Sequence, residues 1–371
     1  MDLIFNYTPH YFLEGYTESL KVIQQQGKPL LGYFTNRIPV EILHALNVNP
    51  IRMLSINSSV QGASERYIQT FACSWLRQIM DIGLNKGYAS FDGLIFSAGT
   101  CDSLQNLSDI WKKVFPEQWT YNLTFPVLTD TEAAVEYLQN EFDTLIQNIS
   151  QKFPENPDGF TLSNSIKLFN IKRVNLQKLA SLVSERKMRY HEFFKLLLLG
   201  DTLPIETVNS YLEKKISQNE ITNPPDIPDS PRLLLTGGMF DNYLLFEHVS
   251  DFDYLVTDDL SFGTRNFNFT MPQSSFLQGY AQAYLERTPD PTAFDMEKRW
   301  KGLENSIHNH QIDGVILLGI KFCDPDTFEF VSIQNNLKDL DIPYLNLETS
   351  PDLSNLQQIE TRLSAFIEMI S

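Results

Sequence analysis

Asp313-Gly-Val-Ile-Leu-Leu-Gly-Ile-Lys-Phe-Cys323 decides the reading of this chain. The apolar run inside it is short, shows no polar alternation and ends at a turn. That is the pattern of a strand buried on both faces, as in a parallel sheet with helices on either side. Three more segments of this kind lie in the C-terminal half: Arg232 to Thr236, Tyr254 to Thr257 and Tyr344 to Leu347. The N-terminal half holds four, at Pro29 to Phe34, Ile51 to Ile56, Phe91 to Phe96 and Tyr121 to Leu128. Helical stretches fall between them. Glu41 to Leu46 is one and Ser64 to Leu84 a longer one. After the fourth segment, Thr129 and Glu132 have capping-box spacing, and Ala134, Val135, Leu138, Phe142, Leu145 and Ile149 follow at helical period. A last helix is predicted from Asn355 to Ile370. Strands alternating with helices predict an α/β fold of two Rossmann- or flavodoxin-like lobes, each with a four-stranded parallel sheet, joined by a helical segment.

Two breaks set the boundaries. Asn156-Pro-Asp-Gly159 interrupts the first pattern, and Thr161 to Gln218 reads as helical, with an apolar face of Ile166, Phe169, Leu176, Leu179 and Val183 interrupted by Arg173. Asn223-Pro-Pro-Asp-Ile-Pro-Asp-Ser-Pro231 is a stiff, proline-rich connection. The expected division is a lobe over 1–155, a helical connector over 156–230 and a second lobe over 231–371.

The net charge of −17 argues against general nucleic-acid binding, while 42% hydrophobic residues suffice for real cores. The N-terminus has no basic segment, and the apolar runs are far too short for a membrane span. The expected setting is a reducing cytoplasm, because three cysteines, Cys73, Cys101 and Cys323, make no disulfide framework. Three thiolates are one short of a closed tetrahedral site; an iron–sulfur cluster held by three keeps one iron open. Three scattered free cysteines are also ordinary small hydrophobes. Against that reading, Cys101 and Cys323 each follow a predicted buried strand, one per lobe, and ligands in such sheets bind at the carboxyl ends of strands.

The segments around the cysteines resemble the 2-hydroxyacyl-CoA dehydratase and benzoyl-CoA reductase family. Gly32-Tyr-Phe-Thr-Asn-Arg-Ile-Pro39-Val-Glu41 looks like its first block, and Phe71-Ala-Cys73 its first cysteine block. Asp92-Gly-Leu-Ile-Phe96 with Cys101-Asp-Ser-Leu-Gln-Asn-Leu-Ser-Asp-Ile-Trp111 is similar to the second, nearer the reductase-like branch. Leu235-Thr-Gly237, Thr257 to Arg265, Lys321-Phe-Cys323-Asp-Pro325 and the ending from Ile342 to Met369 complete the series. The resemblance implies one 4Fe–4S cluster on Cys73, Cys101 and Cys323. It implies a dimer with a paralogous or identical subunit, and an ATP-hydrolysing iron–sulfur activator that supplies a low-potential electron. The implied chemistry is a ketyl-type radical of an acyl-CoA thioester, leading to loss of water or to ring reduction. The leading expectation is a 2-hydroxyacyl-CoA dehydratase subunit. The alternatives are a benzoyl-CoA-type reductase subunit, a cluster-carrying electron-transfer partner, or a cluster-free binding protein.

The chain departs from the family pattern in places. Ile51-Arg-Met-Leu54 stands where a Tyr-Pro-Glu-Asn run is common, which fits the smaller partner subunit or the reductase-like branch. Pro289-Asp-Pro291 replaces Pro-Cys-Pro, which removes a possible extra ligand. Asn47 replaces a glycine and can keep a left-handed turn.

Other candidates stand beside plainer roles. Thr35 and Asn36, at the end of the first strand, could hydrogen-bond the open iron's ligand or a thioester oxygen, or form a turn. Glu41 could act in catalysis or complement a helix dipole. Arg52 and Arg265 could bind CoA phosphates or form structural ion pairs. Asp102 and Asp324 could cap helices aimed at cluster sulfurs or simply cap. His308 and His310 lack the further ligands a zinc site needs. Gly237-Gly238 lacks dinucleotide-loop spacing, and no P-loop is present, which leaves ATP hydrolysis to a partner.

Overall fold

The computed structural model describes residues 15–371 apart from 57–61, 100, 155–160, 218–225, 228, 274–275 and 291–294. Two four-stranded sheets, both wholly parallel, carry the fold. The first is built from β1 (Leu30–Tyr33), β2 (Asn49–Arg52), β3 (Gly93–Ala98) and β4 (Trp119–Thr124), in the order β2-β1-β3-β4. The second, β5 (Leu233–Gly237), β6 (Leu255–Leu260), β7 (Gly314–Ile320) and β8 (Tyr344–Thr349), has the equivalent order β6-β5-β7-β8. The α/β reading holds, and all eight predicted strands are present.

The helices among the described residues run in chain order. The first five are α1 (Tyr16–Gln24), α2 (Val40–Ala45), α3 (Ser74–Leu84), α4 (Asp102–Val114) and α5 (Glu132–Lys152). Three connecting helices follow: α6 (Leu162–Ser184), α7 (Tyr190–Thr202) and α8 (Ile205–Ser217). The C-terminal part of the chain adds α9 (Leu244–His248), α10 (Leu277–Glu286), α11 (Met296–His310), α12 (Asp324–Asp339) and α13 (Leu356–Ile370).

Four details depart from the sequence reading, each for a physical reason. The helix expected over Ser64–Leu84 is a single 3-10 turn at Ala63–Arg66 followed by α3. Between them, only Ile68 of residues 65–71 is buried, so no apolar stripe exists to hold a helix there. β2 starts and ends earlier than expected because its partner β1 ends at Tyr33, opposite Arg52. β4 likewise stops where β3 turns at Gly99, which has a φ of +74°. The cap of α5 is Thr131, which accepts from the Ala134 N–H at 3.1 Å, so Thr129 and Glu132 form no capping box. Asn47 does adopt the left-handed conformation, at φ +61°. The Asn156–Gly159 break and residues 223–225 and 228 of the proline-rich stretch lie outside the described residues.

One core runs through both lobes. It joins Phe34, Trp75 and Phe96 to Phe194 and Leu197 of α7, and these to Phe246 and Leu318. A second core covers the other face of the first sheet. There α10, late in sequence, packs on α5, with the Phe142 and Tyr280 rings 5.5 Å apart. Arg173, the charged residue in the apolar face of α6, is buried against Glu41. A third core lies between the second sheet, α11 and α12.

Candidate functional site

The carboxyl ends of the two sheets deliver all three cysteines to one place. β3 runs through Gly99 to Cys101, the N-cap of α4. β7 runs through Lys321 and Phe322 to Cys323, the N-cap of α12. Cys73 is the N-cap of α3. Each sulfur therefore sits at the positive end of a helix dipole. Asp102 and Asp324 are the first helical residues, because the cysteines hold the cap positions that the sequence reading offered to them.

The lobes touch at this point. The Ser74 N–H donates to the Lys321 carbonyl at 3.0 Å, joining the start of α3 to the segment before Cys323. The Cys323 thiol donates to the Cys73 sulfur. That bond, with the backbone N–H groups of Leu76 and Trp75, holds the Cys73 thiol below its usual range. The same bond, burial and the nearby Asp326 push Cys323 up. Burial also raises Cys101, against the backbone N–H groups of Leu104 and Ser103. Phe322 has a φ of +64°, a strained conformation for a bulky side chain, and its ring lies against Lys321 and Arg77.

The cysteines line a cavity of about 550 Å³. Thr35 and Asn36 form part of its wall, where the Thr35 hydroxyl donates to Ser97 Oγ at 3.0 Å. Its lining also carries three buried acids: Asp290, Asp326 and Glu329. Burial raises Asp326 to about 6. Asp326 closes on Gly238 so tightly that a β-carbon there would lie 2.4 Å from a carboxylate oxygen. Asp290 accepts from Ser261 at 2.6 Å and pairs with Arg265 at 3.3 Å. Glu329 accepts from Arg299 at 2.9 Å, and Arg299 also pairs with Asp259. Phe328 stands at the mouth, 77% exposed.

Other candidates lie elsewhere. Glu41 does not line the cavity; it is fully buried, pairs with Arg173 and accepts from the Tyr280 hydroxyl at 2.6 Å. Burial pushes its carboxyl up, but Arg173 and Tyr280 hold it below the usual range. Arg52 is spent on Asp201 at 2.7 Å, the Phe34 carbonyl at 3.0 Å and Asn266 at 3.1 Å. Arg265 is spent on Asp259, Asp290 and the Gly237 carbonyl. Both arginines are structural ion-pair partners rather than phosphate ligands. His310 shares a hydrogen bond with Ser184 at 3.0 Å.

The sequence reading missed Asp326 and Glu329, and noted position 290 only as an aspartate in place of a cysteine. Asp326, three residues past a capping cysteine and after Asp324-Pro325, carried the one readable signal: an acid in a helix's first turn. Among the described residues, no group of three or more His, Cys, Asp or Glu side chains converges on a single metal ion.

The pattern of the family described as 2-hydroxyglutaryl-CoA dehydratase, D-component, matches residues 36–370. The chain belongs to this family. Its relatives include the lactoyl-CoA dehydratase subunit beta of Anaerotignum propionicum, 23% identical over 93% of each chain. A benzoyl-CoA reductase subunit of Thauera aromatica is 22% identical, over 93% of this chain and 91% of its own. The (R)-2-hydroxyglutaryl-CoA dehydratase subunit beta of Acidaminococcus fermentans is 19% identical over 93% of each. Family and relatives identify a dehydratase-type enzyme subunit, a lyase component, with the reductase kinship that the Cys101 to Trp111 stretch suggested. No helix among the described residues is long and apolar enough to cross a membrane.

Proposed function

We propose that this chain is the iron–sulfur subunit of a 2-hydroxyacyl-CoA dehydratase, acting in the cytoplasm beside a paralogous or identical subunit and an ATP-dependent iron–sulfur activator. The reading rests on three helix-capping cysteines, drawn from both lobes, that open onto one cavity in a member of this family. The donor set fits a 4Fe–4S group. Thiolates are its usual ligands, each takes a different iron, and helix N-termini favour the negative charge of a thiolate-bound cluster. Such a group, when bound, supplies one-electron chemistry to a thioester carbonyl. Asn36 offers an amide to a thioester oxygen from the cavity wall, and Thr35 offers its hydroxyl on exchanging the bond it now gives to Ser97. The buried Glu41–Arg173 pair fixes α2, which begins just beyond them. The proposed units are the two lobes and the connector, over 1–155, 156–230 and 231–371.

Iron and acid-labile sulfide on anaerobically purified protein test the reading, with an EPR spectrum after dithionite reduction. About four of each per chain is expected, and Cys101→Ser should lower the iron content and remove the reduced signal. No iron after anaerobic reconstitution would make the cysteines structural. A second reading, a benzoyl-CoA-type reductase subunit, is favoured by the reductase relative and the Cys101 to Trp111 stretch. Turnover of a 2-hydroxyacyl-CoA against reduction of benzoyl-CoA by the activated complex separates the two.

A further inference from the structure

Next to the cysteine cavity lies a smaller cleft with about 30 Å³ of free space, lined by Arg37, Arg287, Lys298, Thr129 and Phe125. Asn36 and Asp290 line both spaces, so the cleft adjoins the larger cavity. Its charge is unbalanced. Arg37 makes no hydrogen bond or ion pair with any described residue; its guanidinium lies 5.2 Å from the centre of the Phe125 ring. Arg287 donates to the Asn36 carbonyl at 2.8 Å and stacks between Phe269 and Tyr284, at 3.9 and 4.9 Å. Lys298 donates to the Leu285 carbonyl at 2.9 Å.

The nearby carboxylates reach these groups only through space, Asp290 acting on both arginines and Glu41 on Arg287, and neither makes a hydrogen bond to them. Glu41 is held by Arg173 and Tyr280, and Asp290 by Arg265 and Ser261. Burial depresses both arginines, and the charge of Asp290 offsets that only in part; no carboxylate among the described residues is bonded to either guanidinium. In a chain of net charge −17, three cations facing one cleft with a single shared acid is a local reversal of sign.

We propose that this cleft is a binding site for a small oxyanion of carboxylate size, held by Arg37 and Arg287 with Lys298 at its edge. A planar guanidinium matches two oxygens of a carboxylate, and the free space admits about two waters or one such group. The anion is either free in solution or the charged end of a ligand that occupies the adjoining cavity. Only the second source rests on the thioester reading above.

The test uses the full chain, titrated by calorimetry and thermal shift at constant ionic strength. Acetate is the probe for a free anion; succinyl-CoA against butyryl-CoA is the probe for a ligand-borne one. Arg37→Gln is the primary variant, since Arg37 supports no hydrogen bond of the fold, and Arg287→Gln is the second. Acetate binding that weakens about tenfold in Arg37→Gln is the expected result for a free anion. A preference of about tenfold for succinyl-CoA, lost in the same variant, is the result for a ligand-borne one. The proposal is overturned if acetate binds the wild type and Arg37→Gln equally and no preference between the thioesters exists. It is also overturned if that preference survives both substitutions. Failure of both thioesters to bind counts against the dehydratase reading, while the acetate titration still decides the cleft.

Discussion

The two lobes share a strand order but not a chemistry. In both, the third strand of the chain order, β3 or β7, delivers a cysteine to the cap of the next helix. Around Cys101 the first lobe sets one acid, Asp102, among neutral groups, with Thr35 bonded to Ser97. Around Cys323 the second lobe sets Asp326, Asp290 and Glu329, with Arg265 and Arg299 threaded among them. The topology places the sulfurs, and residues private to each lobe set the electrostatic surroundings. The crossover helices differ too: α3 is capped by Cys73, whereas α11 is capped by Asp295, which accepts from the Lys298 N–H at 2.9 Å.

The largest expected effect breaks the charge lattice of the second lobe. Arg299→Ala leaves Asp259 and Glu329 buried without their shared partner and should cost about 3–5 kcal/mol in urea unfolding. Ser97→Ala, on the first lobe's side of the comparison, removes the hydrogen bond that Ser97 accepts from Thr35 and should cost about 1 kcal/mol. Equal losses would mean that the contrast between the lobes has no energetic content.

The next effect is a pH dependence of opposite sign in two regions. Burial raises Asp258 in the second lobe to about 6. The folded chain then keeps a proton there that the unfolded chain releases near pH 4. Its contribution is greatest below about pH 4 and falls by roughly 2–3 kcal/mol as the pH rises to 6. Asp201 of α7 is also pushed up by burial, but Arg52 and Lys172 hold it down to about 2. Its contribution is present above about pH 4 and is lost as the pH falls through 2. Asp258→Asn should make the decline between pH 4 and 6 shallower, leaving the share that Asp326 contributes, read as the unfolding midpoint across a pH series. An unchanged decline would assign it to another group.

The smallest effects compare caps. Thr131→Ala and Asp295→Ala should each cost about 1 kcal/mol, and Thr129→Ala under about 0.5. A larger loss at Thr129 would restore the capping box that the sequence spacing suggests.

Strand positions were legible because a strand buried on both faces must be apolar throughout, as β7 is. The ends of β2 and β4 were not, since pairing stops where the neighbour turns, and Tyr33 and Gly99 mark those points from elsewhere in the chain. The meeting of Cys101 and Cys323 was legible because each follows a strand end. The acids of the cavity were hidden among 46 aspartates and glutamates. What buries Glu329 and Asp259 is Arg299, tens of residues from either, and no local pattern announces such a pairing. The same blindness made Arg52 and Arg265 look like phosphate ligands and left Arg37 and Arg287 unnoticed.

The placement of the three cap cysteines has a consequence in time. Cys73 and Cys101 leave the ribosome together, while Cys323 follows after roughly 220 more residues. At about 5–20 residues per second, the first two thiols wait on the order of 10–45 s for the third. During that interval the nascent first lobe presents half-built sulfur chemistry to its surroundings, so the chain's maturation depends on what meets those two thiols before its second lobe exists.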